Sequence, residues 1–205
     1  LVYPWPAYLQ PLLTILARDH RFWPKSHPHS SPRPGACPLT AQLLLGDARQ
    51  TIARVQQAKF QADAIFLDPF SPRRCPQLWT CRIFQQIAQC LAPSGRLATY
   101  SRSAAVRSAM LQAGFEIGTL PLPQSNPRHP HEWAQGTIAV LPGNTTDLTP
   151  LSPLEQEHLQ TRAGIALRDP LLRDDAATIL ARQHEEQVAT DLESTSSWRR
   201  RWGLD

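Results

Sequence analysis

No apolar run among the 205 residues approaches the roughly 20 needed to cross a bilayer. Pro4, Pro6 and Pro11 also break the hydrophobic start in a way that no signal-peptide core tolerates. A soluble protein is therefore expected. Cysteine is scarce: Cys37, Cys75, Cys81 and Cys90 show no C-x-x-C spacing, which argues against a disulfide frame or a zinc knuckle and for reduced thiols in the cytoplasm. An excess of charge of one sign is also lacking. The 21 Lys and Arg against 17 Asp and Glu leave +4, mostly arginine, which permits a nucleic-acid partner without requiring one.

What is present is enough chain for one domain of ordinary size with extensions. Apolar residues recur at helical spacing from Pro6 to His20, so residues 1–21 are expected to hold a helix. Residues 22–40 are rich in Pro, Ser and His and can bury little, which predicts an exposed loop. Residues 41–142 then alternate: strand Gln42–Leu45, helix Asp47–Gln57, strand Asp63–Leu67, helix Pro76–Leu91, a turn at Pro93–Gly95, strand Arg96–Ser101 and helix Ala104–Ala113, ended by Gly114. Two more apolar runs, Phe115–Leu120 and Gly136–Leu141, are expected to pair antiparallel. Residues 143–205 read as a helical C-terminal extension, in part mobile, ending in Trp198-Arg199-Arg200-Arg201-Trp202. The alternation predicts an α/β fold whose parallel strands are covered on both faces.

In an open α/β sheet, ligands bind beyond the carboxyl ends of the strands, so polar residues just after apolar strands carry the interest. One such place is Leu43-Leu44-Leu45-Gly46-Asp47-Ala48. There a glycine allows close approach of a ligand, and Asp47 can either accept from an adenine amino group or cap the following helix. The other is Asp63-Ala64-Ile65-Phe66-Leu67-Asp68-Pro69-Phe70-Ser71-Pro72. A carboxylate at the tip of a buried strand can hold the hydrogens of an amine and take its proton, as methyl transfer to nitrogen requires. The Pro69 carbonyl can accept, and Phe70 can stack on a base or exclude water. The same residues also spell a rigid turn after a strand, and spacing alone does not separate the two readings.

Asp63 to Pro72 is followed by Pro76-Gln77-Leu78-Trp79-Thr80, by Leu91 to Ser101, by Val106-Arg107 and by Ala113-Gly114-Phe115. Over residues 41–120 this order resembles the MnmC-type methyltransferase domain, in which a strand ends Asp-Gly-Phe-Ala/Ser-Pro, a Pro-x-x-Trp follows, and the next strand reads Gly-x-Leu-Ala-Thr-Tyr/Phe-Ser/Thr. The resemblance implies a Rossmann-like, S-adenosylmethionine (SAM)-dependent enzyme, here with an incomplete sheet whose first strands are missing. It further implies a cytoplasmic enzyme that methylates the aminomethyl nitrogen of a modified wobble uridine in tRNA. On this basis Asp68 is the catalytic acid and touches the cofactor, Gly46, Asp47 and Ala48 hold its adenosine, and Pro69, Phe70, Trp79 and Ser101 shape the substrate pocket.

Departures accompany the likeness. Pro69 stands where the family has glycine, which stiffens the turn. No glycine-rich first turn or ribose-binding acid lies ahead of Asp47, and the expectation drawn from this is an N-terminally truncated chain. No Gly-x-Gly-x-x-Gly occurs, so no flavin is expected. His27-Pro28-His29 and His129-Pro130-His131 lie in proline-rich loops without a rigid support for the rings, and no metal is expected. Ser101 and Ser103 lack the flanks of a nucleophile turn. The Trp198–Trp202 segment can stack on bases or dock on the core. Two alternatives stand beside the tRNA reading: an amino methyltransferase acting on another nucleic acid or a small amine, and a non-catalytic fold that serves as a binding module.

Overall fold

The computed structural model describes residues 14, 18, 21–22, 41–120, 136–144 and 147–204. They fall into two compact units, residues 1–51 and 52–205. In the first, Thr14 and Arg18 are helical, and the rest of the helix expected there lies outside the described residues. So does nearly all of the expected 22–40 loop.

Strand β1 (Arg21–Phe22) pairs antiparallel with β2 (Ala41–Gln42). This corrects the reading of Gln42–Leu45 as a buried parallel strand: extended pairing stops at Gln42, and Leu43 and Leu45 are 39% and 58% exposed. A run of three leucines shows apolarity, but it cannot show whether any element covers it. Gly46 follows with φ +127°, a conformation that side chains rarely adopt. Helix α1 (Ala48–Gln57) begins in this unit and continues into the second.

The second unit is built on a sheet of order β3-β4-β6-β5, formed by β3 (Ala62–Phe66), β4 (Leu91–Thr99), β5 (Glu116–Thr119) and β6 (Thr137–Val140). β3 and β4 run parallel, while β6 lies antiparallel to both β4 and β5. The expected antiparallel closing pair is therefore present, with β6 inserted between its two neighbours. Pro93–Gly95 does not form a separate turn. Register jumps from Ala62↔Leu91 to Ala64↔Arg96, so the segment bulges within β4. Gly95 is required there, because a Cβ would lie 2.6 Å from the Ala62 carbonyl oxygen.

Between β3 and β4 the chain makes a 3-10 turn at Pro76–Trp79 and helix α2 (Cys81–Ala88), where one continuous helix was expected. Thr80 interrupts it as an extended N-cap, its hydroxyl accepting from the Ile83 N–H. Ile83, Phe84 and Ile87 recur at helical spacing and face the core, each worth about 1.5–3 kcal/mol on burial. Helix α3 (Ala104–Gln112) is buried from Ala104 to Met110. Its mostly small side chains let it run between the sheet and the C-terminal elements. Gly114, with φ +93°, ends it as expected.

The C-terminal elements are α4 (Pro153–Leu159), a 3-10 turn (Arg162–Gly164), α5 (Ala176–Ala189) and α6 (Thr195–Arg201). Leu154, Leu167, Ile179 and Trp198 are all buried, so this segment packs on the core. The Ser152 hydroxyl and the Glu155 side chain form a reciprocal capping box at α4. Trp198 is 1% exposed and stacks on His158, with ring centroids 4.4 Å apart. The Trp202 indole donates to Glu157 at 2.7 Å. The docked reading of the Trp-Arg segment is the observed one, and Trp198 is in no position to stack on a base.

Burial, then the nearby Arg107 charge, lowers the His158 pKa below its ordinary 6.5. The unfolded chain therefore takes up the proton first, and stability falls as pH drops below about 6.5. Urea midpoints measured between about pH 7.5 and about pH 5.5 should decline, and His158→Gln should flatten that slope. An unchanged slope would remove His158 as its source. Among the described residues no helix is long and apolar enough to cross a membrane.

Candidate active site

Asp68 sits just past the end of β3, where an apolar strand delivers its chain to the edge of the sheet. The Leu67 N–H still bonds to the Ala98 carbonyl, and beyond it the chain leaves the ladder. Successive carbonyls of the following loop are then pinned. The Tyr100 hydroxyl donates to Pro69 O at 2.9 Å, the Trp79 indole donates to Phe70 O at 2.9 Å, and the Arg74 and Cys75 N–H groups donate to Ser71 O. Pro69 and Pro72 each remove a donor from this loop, and side chains and a turn fix its acceptors.

The loop borders an open cleft of about 570 Å³, lined by Asp68, Pro69, Phe70, Cys75, Leu78 and Tyr100 among others. Asp68 is exposed and makes no hydrogen bond or ion pair among the described residues. Phe70 is 76% exposed and offers an aromatic face to the same space. Burial, then the neighbouring Asp68 and Cys75, raises the Tyr100 pKa, so its hydroxyl keeps its proton at neutral pH and remains a donor to Pro69.

Asp68, the expected catalytic acid, is thus brought together with two residues expected at the substrate pocket, Pro69 and Phe70. Trp79 and Ser101 are not on the cleft wall. Trp79 is fully buried, edge-on to Tyr100 at 6.0 Å, and its indole N–H holds the loop at the Phe70 carbonyl. Ser101 is 4% exposed, its carbonyl accepting from the Thr137 hydroxyl at 2.7 Å and its hydroxyl from the Ser103 N–H. The residue at the end of β4 that does face the cleft is Tyr100, which sequence reasoning passed over. The strand-end rule that singled out Ser101 applied equally one residue earlier. Cys75 was missed for want of any spacing signal.

Gly46, Asp47 and Ala48 belong to the first unit. The Asp47 carboxylate accepts from the Arg49 N–H at 2.9 Å and pairs with the Arg49 guanidinium at 2.8 Å, a helix N-cap. Hydrogen bonding from the Arg49 side chain, outweighing burial, holds its carboxyl below the usual range. The histidine pairs 27/29 and 129/131 lie outside the described residues. Among the described residues no group of three His, Cys, Asp or Glu is placed to hold a metal. Cys75, Cys81 and Cys90 are free thiols.

Tyr100→Phe keeps the ring and removes the hydroxyl that holds the Pro69 carbonyl. It should cost about 0.5–1.5 kcal/mol of stability and lower kcat several-fold with KM little changed. Equal activity of the variant would show that the loop holds its shape without that bond.

A parallel strand ending in a carboxylate and a pinned, proline-stiffened loop, beside an aromatic-walled cleft, is the arrangement of an α/β group-transfer enzyme. Comparison with known proteins makes it particular: the chain belongs to a family of S-adenosyl-L-methionine-dependent methyltransferases, matched over residues 12–123. It is 40% identical over 83 residues to the tRNA 5-methylaminomethyl-2-thiouridine biosynthesis bifunctional protein MnmC of Ralstonia nicotianae, covering 40% of this chain and 12% of that protein. It is 39% identical over 120 residues to the protein of that name in Aromatoleum aromaticum, covering 57% and 17%. The crystal structure of MNMC2 from Aquifex aeolicus matches with a TM-score of 0.62 at 29% identity, covering 74% of this chain and 46% of that one. The match thus spans less than a fifth of those two curated relatives and under half of the solved chain.

The cleft suits the reactive end of such a cofactor. It is open, it carries a carboxylate, and its exposed phenyl ring is the kind of surface that attracts a sulfonium cation. The sequence has no Gly-x-Gly turn to cradle the methionine end.

Proposed function

We propose that this chain carries the acceptor side of a SAM-dependent methyl transfer to the aminomethyl nitrogen of a modified wobble uridine in tRNA, in the cytoplasm. The observation that carries the reading is the Asp68 carboxylate at the tip of β3, without a hydrogen bond or ion pair among the described residues, in one cleft with Phe70 and the pinned Pro69 carbonyl. The names of the relatives support the substrate, and family membership supports the chemistry.

When bound, the cofactor supplies an electrophilic methyl group. An ammonium cannot attack it, so the acceptor must first lose a proton, and Asp68 is the base that takes it. The Pro69 carbonyl has one lone pair engaged by Tyr100 and a second for a remaining N–H of the amine. Such a bond orients the nitrogen lone pair toward the methyl. Phe70 covers the base or shields the reacting atoms from water. Gly46, Asp47 and Ala48 are proposed to meet the adenosine, with Asp47 contributing a carboxylate already fixed by Arg49.

Labelled-methyl transfer from SAM to total tRNA, with DNA and polyamines in parallel, tests the proposal. Incorporation into tRNA alone is expected. Incorporation into DNA or polyamines alone would replace the acceptor, and none into tRNA would overturn it. A second reading is a binding module of the same fold. Titration calorimetry with SAM separates the two, since heat of binding is expected only of the enzyme.

A further inference from the structure

A second cleft, of about 600 Å³, opens where the candidate catalytic loop meets the C-terminal elements. Pro72 and Arg73 line it, the residues directly after Ser71, which lines the Asp68 cleft, so one short loop borders both spaces. The opposite wall comes from Arg162 on the 3-10 turn, His184 on α5 and Ser196 at the start of α6. Among the described residues no carboxylate lines the cleft, whereas two guanidiniums, an imidazole and several neutral hydrogen-bonding side chains do. Arg73 is exposed and makes no hydrogen bond or ion pair among the described residues. Arg162 commits its Nε to the Leu192 carbonyl, which fixes the direction of its guanidinium.

We propose that this cleft holds the phosphodiester backbone of the RNA next to the nucleoside in the Asp68 cleft. The inference rests on the proposed function and adds the surface by which the polynucleotide is held. A target base in the Asp68 cleft leaves its neighbouring phosphates near the shared loop, and Arg73 stands on that loop. Planar guanidiniums match phosphate oxygens, and a site free of acidic side chains imposes no repulsion on a polyanion. It also assigns work to the C-terminal elements: α5 and α6 form the wall that turns the loop's outer side into a groove.

The test is fluorescence anisotropy of a labelled anticodon stem-loop RNA against the full chain over a range of salt. Arg73→Gln and Arg162→Gln should each weaken binding roughly three- to ten-fold and reduce the log–log salt slope by about one. Arg82→Gln removes an exposed arginine of α2 that does not line the cleft and leaves the same net charge, so it should change neither. Melting temperatures of each variant show whether the fold is kept. If Arg82→Gln weakens binding as much as Arg73→Gln, or if Arg73→Gln has no effect, the cleft is not the site. Binding requires no methyl transfer, so the outcomes separate. Localised binding without tRNA methylation would sink the reaction and leave the cleft standing. Methylation of tRNA with an unchanged KM in Arg73→Gln would do the reverse.

Discussion

On the proposed function, Asp68→Asn should lower kcat for methyl transfer by about 10²- to 10⁴-fold, the range expected for loss of a positioned general base, while stability stays within about 0.5 kcal/mol of the parent. The two halves of this expectation come from one observation. Asp68 is exposed and its carboxylate has no hydrogen-bonding or ionic partner among the described residues, so folding draws little from it. Asparagine preserves shape and polarity but cannot take up a proton at neutral pH. A purely structural turn, the competing reading of Asp-Pro-Phe-Ser-Pro, makes the opposite prediction of lost stability and retained turnover. Rates measured across pH sharpen the contrast. The variant's residual activity should rise with pH as more acceptor amine arrives already deprotonated, because solvent then does what the carboxylate did. Turnover unchanged at neutral pH would remove Asp68 from the chemistry.

Much of the second unit was legible from the sequence, for a reason visible in particular elements. Ala62–Phe66, Leu97–Thr99 and Thr137–Val140 are largely apolar runs, and each meets a partner strand. The last two are largely buried, whereas the expectation of a fully covered strand fails for Ala62–Phe66, none of whose residues is buried and whose Phe66 is 83% exposed. Where a partner was not implied by the run itself, the reading failed. Leu43–Leu45 looks the same on paper yet lies beyond the short β1–β2 ladder. Pro93-Ser94-Gly95 has the composition of a turn, and a bulge is the outcome because Leu91 is already paired with Ala62 before the proline. Only the register could reveal that.

The site was legible to the same degree. A strand-end acid followed by proline and an aromatic can be found by inspection, and Asp68, Pro69 and Phe70 do share a cleft. Trp79 could not be placed, since an indole beside a site serves a pocket or a core with equal ease. Here its N–H reaches a loop carbonyl from full burial. The choice between Tyr100 and Ser101 depends on which way the chain turns as it leaves β4.

The partners of Arg107, a residue of the motifs that carry the resemblance, lay outside the sequence's reach. It is 1% exposed on α3, and its guanidinium bonds Glu155 at 2.9 Å, Thr137 Oγ1 at 2.9 Å and the Gly136 carbonyl at 3.2 Å. Thr137 in turn holds the Ser101 carbonyl, one residue from Tyr100, so one buried cation ties α4 to the strand end beside the cleft. Burial pushes the Glu155 pKa up, but the Ser152 N–H and Arg107 more than offset it, and the carboxyl ends below its usual range. Arg107→Met should therefore cost about 3–5 kcal/mol, chiefly because a buried carboxylate loses its counter-charge. Adding Glu155→Gln removes that charge and keeps a side chain able to complete the capping box with Ser152. The double variant should recover at least about 2 kcal/mol of the loss, measured by urea denaturation at neutral pH. Its turnover should remain depressed, since Thr137 still lacks the donor that anchored it and Ser101. Recovery of stability and turnover together would mean that the pair serves only to hold the fold, and equal stability of the single and double variants would mean that the orphaned charge was never the cost.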